Sequence, residues 1–409
     1  MLKIDQQKIE EVLERWADKI YPSKEEFLRT LKSKRLVFYH GVDPTAPQLH
    51  LGHSTNYLLL RKLQDMGHKI ILLIGDFTAQ VGDPTGKSAT RKALSEKEVK
   101  QNYKTYKEQA GKILDFKSFK NPVKVEFNSK WLAKMNLTDV MKLLSNVTHA
   151  QITQRSMFKE RERNNTDLYM HELLYPVLQG YDSVAMDVDA EVGGVDQTFN
   201  MLIGRDLVKI YNKKEKFVVT TPLLENPKTG KKLMSKSEGG FVALNDLPAE
   251  MYGKIMALAD EAIIPCFKFC TEVPIENVNK IEENLKTNST NPRDIKAMLA
   301  KEIVKMYHGE KEAQSAEDEF NKVHRDKELP SEIEAFETDK KIYPILDLLF
   351  DSKLASSKNE AKRLVEGGGV AIIKNGREER VADWKQQIEI ENEMVVQAGK
   401  RRFVKIKMK

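Results

Sequence analysis

The chain is poor in cysteine. Cys266 and Cys270 are the only two in 409 residues, too few for a disulfide framework, and no further thiol completes a zinc site around them. They read as ordinary core thiols in a reducing compartment. Long apolar runs are missing too. None approaches the ~20 residues that a helix needs to cross a bilayer, so no membrane partner is expected. The start, Met1-Leu2-Lys3-Ile4-Asp5, has no apolar core of the kind a secretion signal carries, and a cytoplasmic location is expected. Charge of one sign is not in large excess. With 67 basic and 61 acidic residues the net charge is +6, a modest bias toward anionic partners. At 40% hydrophobic and 31% charged the composition is that of a folded chain, and its length suits two to three domains.

What is present begins with Pro44-Thr45-Ala46-Pro47-Gln48-Leu49-His50-Leu51-Gly52-His53. An apolar run, Leu36-Val37-Phe38-Tyr39, precedes it and a helical pattern, Tyr57 to Met66, follows, so the context is strand, loop, helix start. A loop feeding a helix N-terminus gathers unpaired backbone N–H groups and the positive end of a dipole, which suits phosphate. His50 and His53 share one face there, and Gly52 leaves room for a flat ring against the backbone. The residues alone leave three readings open: a nucleotide site, surface polar residues, or two ligands of a metal. The HExxH form is absent, and no third ligand stands at zinc spacing.

Around this stretch the chain reads as alternating strands and helices. Residues 1–35 suit two amphipathic helices, the second opened by a capping-box pattern, Ser23 and Glu26. Lys69-Ile70-Ile71-Leu72-Leu73-Ile74-Gly75 is a buried strand bounded by glycine, and strand–helix–strand within this span seeds a doubly wound sheet. Next comes Gly82-Asp83-Pro84-Thr85-Gly86-Lys87-Ser88. A P-loop would need glycine at position 81, which is Val81. What remains is a tight turn carrying Asp83, with Lys87 and Arg91 spaced to point one way on a helix, either at a triphosphate or into solvent. Residues 95–180 are mostly helical, with a short strand near Val123 to Phe127. Within Leu173 to Asp182 an apolar helix carries Tyr175, Gln179 and Asp182 on one stripe. A carboxylate there is costly unless paired or used, so the stripe reads as a polar pocket wall; the alternative is an exposed helix end.

Ala185 to Val192 alternates apolar with acidic residues and predicts a strand. Gly193-Gly194-Val195-Asp196-Gln197 then opens a helix, placing Asp196 to accept a ribose hydroxyl. After a further strand, Phe217 to Thr221, the loop Asn226 to Gly240 is cationic and glycine-flanked. It can close over a leaving pyrophosphate, or be an exposed loop and nothing more. Residues 245–327 are helical, 328–342 read as a linker, and 343–409 as a small domain. There Lys358, Lys362 and Arg363 form a basic helical face, and Lys400 to Lys409 an alternating basic strand. Together they make an RNA-sized patch or a solubilising surface.

These pieces resemble the class I aminoacyl-tRNA synthetases, specifically the bacterial tyrosyl type, over nearly the whole chain. His50-Leu51-Gly52-His53 resembles the family's HIGH element, Leu233-Met234-Ser235-Lys236-Ser237 its KMSKS element, and residues 346–407 an S4 RNA-binding domain. The resemblance implies an α/β fold: a Rossmann-type doubly wound parallel sheet in a catalytic domain over 1–225, with an insertion at about 115–180 that forms a homodimer interface. A mobile loop at 226–244, an α-helical anticodon-side domain and a small α+β S4-like domain follow. The implied activity is ATP-dependent ligation of L-tyrosine to tRNA(Tyr), with Mg²⁺ accompanying the nucleotide, tRNA rather than DNA as the nucleic acid, and no dedicated metal site.

Residue by residue, Tyr39 and Asp182 resemble the pair that binds the substrate phenol hydroxyl, with Asn128 behind them. Asp83, Tyr175 and Gln179 resemble the residues that hold the α-ammonium, and Gln197 a contact near the reacting carboxyl. Thr45, His50 and His53 resemble the ATP phosphate contacts. Gly41, Asp43, Gly52, Gly194, Asp196, Met234 and Ser235 resemble further ATP contacts, Gly194 and Asp196 at the ribose. Lys87, Arg91 and Lys236 resemble the cations that meet pyrophosphate. Two departures stand out. Leu233 takes the place of the first KMSKS lysine, with Lys231 and Lys232 just before it, and position 40 is His. A tryptophanyl enzyme, a non-catalytic RNA-binding relative and a generic nucleotidyltransferase are the other readings.

Overall fold

The computed structural model describes residues 5–84, 94–234, 241–324, 333–374, 377–399 and 402–408. Lys87, Arg91 and Lys236, expected at the pyrophosphate, and Ser235, expected at ATP, lie outside the described residues. The chain divides into two compact units, Met1–Ala313 and Gln314–Lys409.

The first unit is built on a six-stranded sheet of β1 (Ile20–Tyr21), β2 (Val37–Val42), β3 (Lys69–Ile74), β4 (Lys124–Phe127), β5 (Ala190–Gly194) and β6 (Phe217–Thr221). The spatial order is β1-β6-β5-β2-β3-β4, and every pairing is parallel except that of β1 with β6. Apart from Lys69, β3 is buried along its length, as is β6, because helices cover both faces of a parallel sheet. Strand order reverses between β2 and β5. In a doubly wound sheet, the carboxyl ends of two such strands leave a crevice for ligands.

The helix Leu51–Asp65 returns the chain from β2 to β3 and buries an almost unbroken apolar run, Tyr57 to Leu60. The two amphipathic helices expected at the start are Gln6–Trp16 and Lys24–Ser33. Ser23 caps the second by accepting from Glu26 N at 3.1 Å. The strand expected from Ala185 is shorter: residues up to Ala185 belong to the helix Met170–Ala185, and β5 begins at Ala190. The helices from Pro248 to His308 fall in the same compact unit as the sheet. One of them, Ile263–Cys270, meets the helix at His50, where Cys270 Sγ donates to Leu51 O at 3.7 Å. Among the described residues no helix is long and apolar enough to cross a membrane.

In the second unit, residues 334–338, expected inside a linker, form β7 (Glu334–Thr338). It joins β9 (Val370–Lys374), β10 (Arg377–Arg380), β12 (Val395–Ala398) and β13 (Arg402–Met408) in the order β10-β9-β12-β13-β7, and runs parallel to β13. β8 (Ile342–Pro344) pairs with β11 (Gln387–Glu389). The helices Ile345–Asp351 and Lys358–Glu366 cover a core that includes Leu348, Val365, Ile372 and Ile406. β13 alternates as its sequence suggests: Val404 and Ile406 are buried, and Lys405 and Lys407 lie on the other face. Arg402 reaches Glu360 at 2.9 Å, which brings that strand against the basic helix Lys358–Glu366. The patch is partly neutralised, since Lys358 pairs with Asp347 at 2.6 Å and Lys405 with Glu393 at 2.8 Å.

Candidate active site

An open cavity of about 200 Å³ lies at the carboxyl ends of β2 and β5, where strand order reverses. Its wall includes Tyr39, Gly41, Asp43, Thr45 and His53 from β2 and the segment after it, and Tyr175, Gln179 and Asp182 from one helix. Asp83, Asn128 and Gln197 complete the wall from three further segments. Of the other expected residues, His50, Gly52, Gly194, Asp196 and Met234 stand outside this wall.

Asp182 is 2% exposed and faces the cavity. Trp131 Nε1 donates to its Oδ1 at 2.7 Å, and Asn128 Nδ2 to its Oδ2 at 3.2 Å. Burial raises its pKa well above the usual carboxyl range, against the pull of those two donors. The Tyr39 hydroxyl pairs with Ser183 Oγ at 2.8 Å. Burial, then the carboxylates of Glu191 and Asp182, raises its pKa well above the ordinary phenol value, so it stays a neutral hydroxyl. Asp43, expected at ATP, lines the cavity and accepts from Tyr175 Oη at 2.8 Å and Thr78 Oγ1 at 2.7 Å. Both its oxygens are thereby tied into the wall. Asp83, expected beside Tyr175 at an ammonium, accepts from Gln197 Nε2 at 2.8 Å. The stripe of Tyr175, Gln179 and Asp182 is therefore a pocket wall and not an exposed helix end.

The head of the Leu51–Asp65 helix differs from expectation in an instructive way. Its backbone N–H groups are not left for phosphate. Leu51 N donates to Val242 O at 3.1 Å, Gly52 N to His50 Nδ1 at 3.1 Å, and His53 N to His50 O at 2.8 Å. His50 N in turn donates to His53 Nδ1 at 3.1 Å. With both Nδ1 lone pairs engaged, each neutral ring carries its proton on Nε2. Burial, then His50 and His40, pushes the His53 pKa well below its ordinary value, so that ring is neutral at pH 7. The helix head offers imidazole N–H donors in place of backbone ones. The flat ring that Gly52 accommodates is that of His50, because a Cβ there would lie 2.9 Å from His50 Cε1.

The segments on either side of residues 235–240 both meet this helix head. Met234 Cβ lies 3.8 Å from the Cβ position of Gly52, and the Phe241 ring packs on His50 with centroids 5.4 Å apart. Lys232, one of the two lysines preceding Leu233, reaches Asp196 Oδ2 at 2.8 Å. The carboxylate expected at a ribose is thus held by a cation of that same loop. His40 is buried, with its Nδ1 on Val192 O at 2.8 Å.

Sequence reading missed Thr78, Trp131, Ser183, Glu191 and Lys216. Glu191 had a signal, an acid inside an otherwise apolar strand. Lys216 had none, since it ends the charged run Lys213-Lys214-Glu215 and looks like surface. Among the described residues no group of three or more His, Cys, Asp or Glu is placed to hold a metal ion.

Residues 31–325 match the family described as tRNA synthetases class I (W and Y). The chain is 44% identical over 385 residues to a tyrosine–tRNA ligase of Thermotoga maritima, covering 94% of each chain. It is 42% identical over 406 residues to one from Carboxydothermus hydrogenoformans, covering 97% of each. Among solved structures, a C-terminally truncated mitochondrial tyrosyl-tRNA synthetase of Coccidioides posadasii superposes with a TM-score of 0.60 at 26% identity, over 75% of this chain and 90% of that one.

Proposed function

The chain belongs to the class I tRNA synthetases of the tryptophan and tyrosine group, and we infer from its site that it is a tyrosine–tRNA ligase: it activates L-tyrosine with ATP and transfers it to tRNA. The observation that carries the choice of amino acid is the buried polar end of the cavity. Asp182 keeps acceptor capacity on a carboxylate that Trp131 and Asn128 hold still, and the Tyr39 hydroxyl lines the same cavity. A phenol hydroxyl satisfies both. Phenylalanine leaves the remaining acceptor capacity of Asp182 buried and unmet, and tyrosyl enzymes are themselves the standard illustration of that penalty. Tyr175, Gln179 and Asp83 line the cavity wall, and we assign them to the α-ammonium.

The chemistry needs no general base, because the tyrosine carboxylate is already a nucleophile at neutral pH. It attacks the α-phosphorus of ATP, forming the tyrosyl-adenylate and releasing pyrophosphate. A hydroxyl of the 3′-terminal ribose of the tRNA then attacks the tyrosyl carbonyl, taking the tyrosyl group and releasing AMP. Catalysis is positioning together with charge stabilisation. His50 and His53 supply neutral Nε2–H donors toward the phosphates, held by the reciprocal Nδ1 contacts at the helix head. Lys87, Arg91 and Lys236 supply cations to the leaving pyrophosphate, and Mg²⁺ enters with the nucleotide. Lys232 takes part at the ribose end through Asp196.

The enzyme works as a cytoplasmic homodimer. Support for the interface comes from the 115–180 segment, which exposes Leu137 at 77%, Met170 at 73% and Met141 at 61%. The second unit binds tRNA through the helix Lys358–Glu366 and β13.

ATP–pyrophosphate exchange run with tyrosine, tryptophan and phenylalanine tests the reading, and exchange with tyrosine alone is expected. No exchange with any of them refutes the activity, and exchange with tryptophan alone moves the chain to the other branch of its family. Asp182→Ala should abolish tyrosine binding and leave ATP binding largely intact; unchanged tyrosine affinity refutes the role given to Asp182.

A further inference from the structure

Under the tyrosine end of the cavity lies a charge that the reaction does not use. Lys216, the residue before β6, is completely buried. Its Nζ donates to the Glu191 carboxylate, to Ser183 Oγ at 2.8 Å and to Met201 O at 3.2 Å, three acceptors for three N–H bonds. The ammonium also lies 5.8 Å from the centroid of the Tyr39 ring. Space for it exists because the helices Met170–Ala185 and Thr198–Tyr211 (the latter following Gln197) touch at two glycines. A Cβ on Gly180 would lie 3.0 Å from Gly204 N, and a Cβ on Gly204 would lie 2.7 Å from Lys216 Nζ.

A buried ion pair is weak support for stability, because desolvation of both charges offsets their attraction. What matters here is where the partners lead. Glu191 Oε1 accepts from Gln179 Nε2 at 3.1 Å. That contact fixes the amide so that Gln179 Oε1 accepts from Asn200 Nδ2 at 2.8 Å. Ser183 Oγ meets the Tyr39 hydroxyl at 2.8 Å. Each side-chain partner of the ammonium therefore holds one residue of the cavity wall.

We propose that Lys216 is a positioning residue for tyrosine recognition, holding Ser183 and Glu191 and through them the Tyr39 hydroxyl and the Gln179 amide in the geometry that reads the amino acid. The proposal rests on the tyrosine–tRNA ligase reading. Lys216 touches neither substrate nor the reacting atoms. Its effect is confined to the amino-acid end, since none of its contacts reaches the histidines at the helix head.

The test is pyrophosphate exchange with the full-length protein, normalised to active sites by adenylate-burst titration. Lys216→Met should raise the KM for tyrosine by roughly tenfold or more and lower the tyrosine-to-phenylalanine ratio of kcat/KM by a similar factor, with the KM for ATP within about twofold of wild type. A purely structural lysine would lower melting temperature and the active fraction without moving those two amino-acid readouts. Because Lys216→Met leaves Glu191 charged and unpaired, the double variant Glu191→Gln/Lys216→Met removes both charges and is measured beside it. Raised tyrosine KM and reduced discrimination are expected in the double variant as well. A folded double variant with wild-type tyrosine KM and discrimination overturns the proposal, and so does failure of both variants to fold, which would assign Lys216 to stability. Wild-type protein without tyrosine-dependent exchange would sink the ligase reading instead, so the two failures are distinguishable.

Discussion

His68 lies between the helix Leu51–Asp65 and β3, fully buried, and its Nδ1 accepts the Leu36 backbone N–H at 3.1 Å. Burial, with a smaller push from Arg35, lowers its pKa from 6.5 to about 4. The unfolded chain therefore binds more protons between those values, and stability rises with pH across that window. His68 contributes in full above pH 6.5, and its contribution falls away as the pH drops toward 4, amounting to about 3 kcal/mol. Burial lowers the pKa of His40, His53 and His308 as well, with the same sign. Urea unfolding should show a steep loss of stability from pH 6.5 to 4.5, and His68→Asn should flatten that slope while lowering stability at pH 7.5. An unchanged slope would mean that His68 is protonated in the folded state. The same residue type serves another end at the helix head, where neighbouring backbone groups engage both Nδ1 atoms and leave the Nε2 protons as donors.

At the scale of elements, the helix Ile263–Cys270 shows how distant segments are joined. Arg15, on the first helix, donates to Lys268 O at 2.7 Å, Phe267 O at 3.0 Å, Thr271 O at 2.7 Å and Val273 O at 2.6 Å. These carbonyls lie at and just beyond the C-terminus of that helix, where the last C=O groups have no intrahelical N–H donors and the dipole favours a cation. The guanidinium also lies 4.5 Å from the ring centroid of Trp16. Since the Ile263–Cys270 helix packs on the one that carries His50, this cap indirectly steadies the helix head. Arg15→Ala strands buried carbonyls and should cost about 3 kcal/mol in denaturant unfolding, and Arg15→Lys should recover only part of it, lacking the planar fork. A loss under about 0.5 kcal/mol, the range of a surface substitution, would refute the cap. The periodicity that finds Gln6–Trp16 is plain in the sequence; the destination of Arg15 is not, because its acceptors lie some 250 positions away along the chain.

For the whole molecule, the pairing of β7 with β13 sets where the second unit can be cut away. A truncation at 343 would remove β13 and leave β7 without its partner, whereas removing 333–409 takes the whole sheet. The latter should leave tyrosine-dependent exchange within about twofold of wild type and reduce tRNA charging by roughly a hundredfold, through the lost RNA contacts. Equal charging by the truncated protein would count against tRNA binding by this unit. As for what each level decided, the sequence alone determined the alternation of strands and helices, the strand–loop–helix at His50 and the polar stripe of Tyr175, Gln179 and Asp182. Such features depend on periods of two and 3.6 residues and on neighbours a few positions apart. Only the tertiary structure decided which polar groups meet. It sent Asp43 to Tyr175 and Thr78, Asp196 to Lys232, and Lys216 from a charged run into the floor beneath Tyr39. Burial and pairing depend on segments brought together from across the chain, and a local pattern carries no record of what will lie opposite it.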